Sequence, residues 1–342
     1  YTTIKKPSDY FNTKLYTGTG SATSITGVGF QPDWVWIKKR NGTTSHTVTD
    51  SVRGVNKQLF TNEVEAEESY TSVLTAFDSD GFSLSTAGLI NASSDTYASW
   101  NWLANGAGSA NTDGATASTV SANTTAGFSI VKYTGAGATT YGHGLGATPN
   151  MIIIKKLNSA DDWFVYHHTL LTPSATQKQF ILLNSTSAFA SNGSATTFTS
   201  VSNSTFGVGT DDKISESGDS FIAYCFAEKQ GYSKFGSYTG NGNADGTFVY
   251  TGFKPAFVMA KSSTSVTEWH MADTARRPNN PNDVYLAASS SAAESTSNGV
   301  DFLSNGIKIN TSQGGWNQSG ATFIYMAFAE EPLVGDNPAT AR

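Results

Sequence analysis

One short signature occurs three times in this chain, and that repetition limits its fold more than any other feature. Tyr16-Thr17-Gly18-Thr19-Gly20 returns as Tyr133-Thr134-Gly135-Ala136-Gly137 and as Tyr238-Thr239-Gly240-Asn241-Gly242. Each copy is followed by a glycine, an apolar residue and a proline: Gly29-Phe30/Pro32, Gly144-Leu145/Pro149, Gly252-Phe253/Pro255. A lysine then stands six residues past each proline, at Lys38, Lys155 and Lys261. Each copy closes on an aromatic segment, Tyr97–Leu103, Phe221–Glu228 and Phe323–Glu330. A period of about 105 residues is too long for a solenoid or a propeller blade and fits a complete small domain.

This grammar divides the chain into an N-terminal arm (1–15), a first repeat (16–104), a Gly/Ala/Ser/Thr-rich segment read as a flexible linker (105–127), a second repeat (128–231), and a third repeat with a C-terminal tail (232–342). Within the copies, short runs of Val, Ile, Thr, Phe, Tyr and Trp alternate with Gly/Asn/Ser/Asp clusters, which predicts strands rather than helices. Asp80-Gly81, Asn192-Gly193, Asn298-Gly299 and Asn305-Gly306 are hairpin-turn dipeptides. The only helix candidates are short, near Asn62–Ser69 and Ala287–Ser295. Trp34–Ile37, Met151–Ile154 and Phe257–Ala260 are apolar at every position, so both faces of each strand should be covered. The expected fold is all-β: three tandem antiparallel β-sandwich repeats.

Composition removes several function classes. Only 14% of residues are charged and the formal net charge is −6, with no basic cluster, which argues against a nucleic-acid partner. No apolar run approaches the ~20 residues of a membrane helix. A single cysteine, Cys225, excludes an intrachain disulfide framework and a thiolate metal cage. The chain opens at Tyr1 without Met or a signal peptide, so it is expected to be trimmed or part of a longer polypeptide.

Comparison of the copies picks out individual residues. Fourteen positions past the proline stand His46, Trp163 and Trp269, followed on the same strand face by Val48/Asp50, Val165/His167 and Met271/Asp273. Asp50 and Asp273 are each followed three residues on by an arginine, Arg53 and Arg276, whereas His167 is followed by Leu170. Both members change together, as expected of structural ion pairs, because losing one partner leaves a buried charge uncompensated. The opposite face reads Thr47, Thr49, Ser51 in the first copy, as a wet face would. In the second copy it reads Phe164, Tyr166, His168. These three aromatic residues, with Trp316 in the loop Gly314–Gln318, are the candidate contact surface, either an interdomain or intersubunit contact or a ligand surface with rings stacked on sugar faces. No nucleophile elbow, no zinc-protease signature and no phosphate loop is present, so no catalytic residue and no cofactor are expected. Asp161-Asp162 and Asp211-Asp212 could contribute to a calcium site but lack the alternating ligands of a dedicated loop, and no metal is expected. His167-His168 is no metal pair, since adjacent strand residues face opposite ways.

Lys6-Pro7-Ser8-Asp9-Tyr10-Phe11, Leu15-Tyr16-Thr17-Gly18, Gly29–Lys38, Asp50-Ser51-Val52-Arg53-Gly54, Phe77–Phe82 and Tyr97–Trp102, in that order, resemble a repeat module of structural proteins of marine bacteriophages, often described as tail fibres. The ending, Phe328–Pro332 through Ala339–Arg342, resembles a natural C-terminus of such chains. The resemblance implies a virion structural protein with lectin-like sandwich modules, plausible as a trimeric fibre or tip, and neither a catalytic residue nor a defined ligand. The leading expectation is a non-enzymatic tail fibre or appendage that contacts host-surface glycan. A capsid decoration or other architectural protein is the alternative, and a polysaccharide-degrading tail enzyme the third. Expected partners are other virion proteins and further copies of the chain, with no membrane insertion.

Overall fold

The computed structural model describes residues 2–191, 193–296 and 299–332. The expected turns at Asn192 and Asn298, and the tail through Arg342, therefore fall wholly or partly outside the described residues. The chain is all-β, and among the described residues its antiparallel strands form six sheets, three large and three of three strands each.

The first large sheet runs in the order Phe11–Thr17, Thr96–Trp102, Trp34–Lys39, Thr47–Asp50, Lys57–Phe60, Glu68–Ser69. The second runs Ser109–Asn111, Ser118–Asn123, Phe128–Thr134, Ser220–Phe226, Met151–Lys156, Phe164–His167, Gln179–Leu182, Ala190–Ser191. The third runs Ser233–Thr239, Thr322–Pro332, Phe253–Ser262, His270–Asp273, Leu286–Ala287. A three-stranded sheet lies against each: Thr23–Thr26, Gly81–Leu84 and Leu74–Asp78; Thr139–Gly142, Thr205–Val208 and Phe198–Val201; Phe248–Tyr250, Gly306–Ile309 and Val300–Leu303. The turn dipeptides Asp80-Gly81 and Asn305-Gly306 join the hairpins in the first and third of these.

The two-faced strands hold this arrangement together. Trp34 and Trp36 point to one core while Val35 and Ile37 point to another. Met151/Ile153 against Ile152/Ile154, and Phe257/Met259 against Val258/Ala260, divide in the same way. The second member of each division packs against the adjacent three-stranded sheet. The first member enters one shared core fed by all three large sheets. In that core Trp34 stacks on Tyr224 at 4.4 Å between ring centroids, Phe11 on Phe328 at 4.9 Å, and Trp102 meets Phe257 edge-on at 6.2 Å. Burial of this many large rings supplies the main driving force for bringing the three sheets together.

The repeated Tyr-Thr-Gly-x-Gly signature has a local job. Three one-turn helices, α1 (Gly88–Asn91), α2 (Asp212–Ser215) and α3 (Gly314–Asn317), each receive one copy. The signature tyrosine donates its hydroxyl to a helix carbonyl: Tyr16 to Ile90 at 2.8 Å, Tyr133 to Ile214 at 2.9 Å, Tyr238 to Trp316 at 2.8 Å. The last glycine, at φ near +70° in all three, donates its N–H to the final helix residue, Asn91, Ser215 or Asn317. The middle glycine leaves no room for a Cβ, which would strike the carbonyl oxygen of Ala92, Glu216 or Gln318. Both glycines are thus required, one for a left-handed conformation and one for close approach.

Three local expectations are corrected. The segment 105–127, read as a flexible linker, carries the strands Ser109–Asn111 and Ser118–Asn123 on the edge of the second large sheet. Its start is tied down by the Asp33 carboxylate, which accepts from the N–H groups of Ala104 (2.7 Å) and Gly106 (3.0 Å). Neither helix candidate is a helix. Asn62–Ser69 is a turn followed by irregular chain and a two-residue strand, and Ala287–Ser295 continues from a strand edge into irregular chain. The Thr47/Thr49 face is not wet, because both residues are buried beneath other chain.

Candidate functional site

The expected aromatic contact surface does not exist as a surface. Phe164 and Tyr166 lie in the core between the second large sheet and its three-stranded partner, packed on Phe180 at 5.1 Å and Phe198 at 5.5 Å. Burial pushes the Tyr166 hydroxyl up to about 12. Trp316 is a fully buried member of α3, its ring 5.6 Å from His270. Only His168 is exposed, and its Nε2 donates to the Phe235 carbonyl at 3.0 Å. Alternation shows that a strand has two faces, but not that a distant three-stranded sheet covers the second one.

Three of the four residues of the acidic pairs are engaged by Lys213. Lys213 lies 3.5 Å from Asp161 and 3.3 Å from Asp162, and Asp211 caps α2 by accepting from the Lys213 N–H. Among the described residues no group of three or more His, Cys, Asp or Glu side chains is placed to hold a metal ion. The thiol of Cys225 is fully buried, and burial pushes its pKa up.

What the sequence-selected residues do form is the set of seams where the large sheets meet. Asp50 and Arg53 make an ion pair with both side chains fully buried. The Asp50 oxygen that pairs with Arg53, Oδ2, also accepts from Tyr224 of the second sheet at 2.8 Å, and Arg53 reaches Glu67 at 3.3 Å and the Val48 carbonyl. Asp273 and Arg276 repeat this at 2.5 Å, now with Trp100 of the first sheet donating to Asp273 at 3.1 Å, Glu294 at 3.1 Å from Arg276, and the Met271 carbonyl. The guanidinium of Arg276 also lies over the Trp100 ring at 5.6 Å. At the remaining seam His167 is buried and neutral. Burial pushes its imidazole down to about 3, its Nε2 donates to the Tyr325 carbonyl of the third sheet at 3.1 Å, and its Nδ1 accepts from the Thr169 hydroxyl at 2.9 Å. The residue at the Trp100/Tyr224 position of the third sheet is Met326, which has no proton to give a carboxylate. Leu170 and Phe189, in the places of the arginine and its glutamate, are packed against the shared core. Four residues change together, and the change leaves both His167 ring nitrogens partnered.

Other bonds close the seams in one rotational sense. Glu67, Phe189 and Glu294 donate their N–H groups to the carbonyls of Leu157, Ser263 and Arg40 at 2.8–2.9 Å, joining first sheet to second, second to third and third to first. The Trp163 indole donates to the Phe60 carbonyl at 2.9 Å and Trp269 to that of Leu182 at 2.7 Å. Where His46 takes the place of tryptophan, the Thr61 hydroxyl crosses the seam to the Ala288 carbonyl at 2.9 Å. The three lysines of the repeat grammar, Lys38, Lys155 and Lys261, bury their ammonium groups among backbone carbonyls. Lys155 and Lys261 reach across a seam to Val64 and Thr186, and burial pushes all three down to about 8. The sequence missed these lysines as seam elements, although their constant distance from the proline was the signal.

A protein with this geometry is an all-β assembly of paired sheets around a shared core, with the buried Asp, Arg, His and Lys residues picked out by the repeat comparison committed to internal joints. A family model described as a domain of unknown function (DUF7483) matches residues 6–332, and the chain belongs to that family. No curated protein matches. No solved structure matches either.

Proposed function

We propose that the chain is a non-enzymatic structural module of a bacteriophage virion, built from three tandem antiparallel β-sandwich repeats closed into a ring about one core. The observation that carries the architectural part is the seam pattern. Matching positions of successive large sheets bond in one rotational sense, and the third bonds back to the first. The recurring strand order and the one-turn helix docked by each Tyr-Thr-Gly-x-Gly signature support the same division. A ring made by one chain satisfies internally the contacts that a homotrimer would make between copies, so the chain acts as a rigid unit among other virion proteins. The virion assignment rests on the sequence resemblance to phage structural proteins. An architectural role is favoured over sugar contact through Phe164, Tyr166 and Trp316, because those rings are buried.

Immunogold electron microscopy of intact particles, with antibody raised against this chain, tests the proposal. Label on the tail or its fibres supports an appendage, and label over the head supports a decoration protein. Particles free of label overturn the virion assignment. Release of reducing ends from host polysaccharide by the purified chain would overturn the non-enzymatic part.

A further inference from the structure

The outer face of the third three-stranded sheet differs from its two counterparts. Its edge strand Phe248–Tyr250 buries only Val249, leaving Phe248 44% and Tyr250 57% exposed on the same outer face. Cross-strand pairing fixes the matching residues elsewhere. Ile25 opposite Phe82 and Tyr141 opposite Phe206 occupy the place of Val249 opposite Ile307. Ser24 and Thr26 in the first unit, and Thr140 and Gly142 in the second, therefore stand where the third has Phe248 and Tyr250. Solvation alone does not require two aromatic rings here, because the first unit exposes Ser24 and Thr26 at the same positions, whereas in the second the 109–118 hairpin packs over Thr140 and Gly142.

The surroundings shape a shallow platform. Phe248 pairs with Lys308 and Tyr250 with Gly306, where a Cβ would strike the Val249 carbonyl oxygen at 2.2 Å and also lie 3.2 Å from the Phe248 ring, so the glycine permits the close strand approach with that ring beside it. Lys308 is held aside by Asp245 at 2.6 Å and by the Gly246 carbonyl, and Asp301 lies across from it on the next strand. The result is two rings about 7 Å apart along the strand, bordered by paired charges and hydrogen-bonding groups.

We infer that this platform binds a neutral carbohydrate, with pyranose rings stacked on Phe248 and Tyr250 and hydroxyls directed to Lys308, Asp245 and Asp301. The exposed ring area is roughly 200 Å², against about 800 Å² per partner in a standard protein interface, so a second copy would gain too little from it. A nucleic acid is disfavoured by the bordering carboxylates and the net charge of −6. Flat aromatic faces in a polar, nearly neutral frame suit the C–H faces and hydroxyl edges of sugars. The inference does not depend on where the chain resides, since it concerns the isolated molecule.

Affinity electrophoresis of the whole chain through native gels containing dextran, mannan, galactan or soluble starch tests it, beside Phe248→Ser/Tyr250→Thr, the pair that the first unit carries. Retardation of the wild type by at least one polysaccharide is expected, with at least a tenfold weaker effect on the double variant at unchanged melting temperature. Ser24→Phe/Thr26→Tyr should add retardation to the first unit. Absence of retardation in all four gels, or equal retardation of wild type and double variant, overturns the inference. So does sedimentation showing a wild-type dimer that the double variant converts to monomer, which would assign the rings to a second copy.

Discussion

The seam held by Asp50 and the seam held by His167 occupy matching places and solve the same problem with opposite chemistry. The first buries a full ion pair, satisfied by Tyr224, Glu67 and the Val48 carbonyl. The second buries a neutral imidazole between a carbonyl and a threonine hydroxyl, with Leu170 and Phe189 filling the remaining space. The choice follows from the neighbour. Tyr224 and Trp100 offer a proton to a carboxylate, while Met326 does not. A buried charge is tolerated only where the whole set of partners is present, so the set is exchanged as a block.

Half of an exchange is therefore the most damaging change. Arg53→Leu alone strands the Asp50 carboxylate and should cost about 3–5 kcal/mol in denaturant unfolding. The block exchange Asp50→His/Arg53→Leu/Glu67→Phe/Tyr224→Met should recover a large part of that loss. A quadruple variant less stable than Arg53→Leu would break the comparison. Phe164→Ala should cost about as much, 3–5 kcal/mol, by opening a cavity between sheets, as read in the same unfolding assay. A Phe164→Ala protein with near wild-type stability would return that ring to the surface.

Acid should act through the buried histidines, His167 at a seam and His270 beneath Trp316. Burial holds His167 at about 3 and His270 at about 4, far below the ordinary imidazole value. Below about pH 6.5 the unfolded chain binds protons that the folded chain refuses, so stability falls with pH until about pH 3–4. His167→Asn should flatten part of that slope in a melting series, whereas an unchanged slope would remove His167 from the account. The lysines act with the same sign at higher pH. With folded values of about 8 for Lys38, Lys155 and Lys261, the unfolded chain holds more protons between pH 8 and about 10.4, so their contribution rises with pH across that window. A melting series from pH 7.5 to 9.5 reads it, and a downward slope there would contradict it.

Much of this was legible in the residues, and the parts that were not share one cause. Trp34–Ile37 announced a doubly covered strand, the two glycines of Tyr-Thr-Gly-x-Gly announced turns, and the joint loss of Asp and Arg in one copy announced a pair. Each of those signals is local. Burial of Thr47 and Thr49, and of Phe164 and Tyr166, is set by chain far away in sequence, and polarity in one copy misled the reading of another. The strand Ser118–Asn123 hid in a composition typical of linkers, because a strand one place in from the sheet edge, with part of its surface open, can be made of Ser, Thr and Ala. The shared core was invisible for the same reason. Its rings come from all three sheets, and copies read singly looked like sandwiches in series.

Small-angle X-ray scattering of the purified chain tests the ring most directly. Three sandwiches closed around one core predict a compact particle, with a radius of gyration of about 20 Å for a chain of this length. A markedly larger radius, with the scattering of a rod one sandwich thick, would mean that the units stand in line and that the shared core does not form.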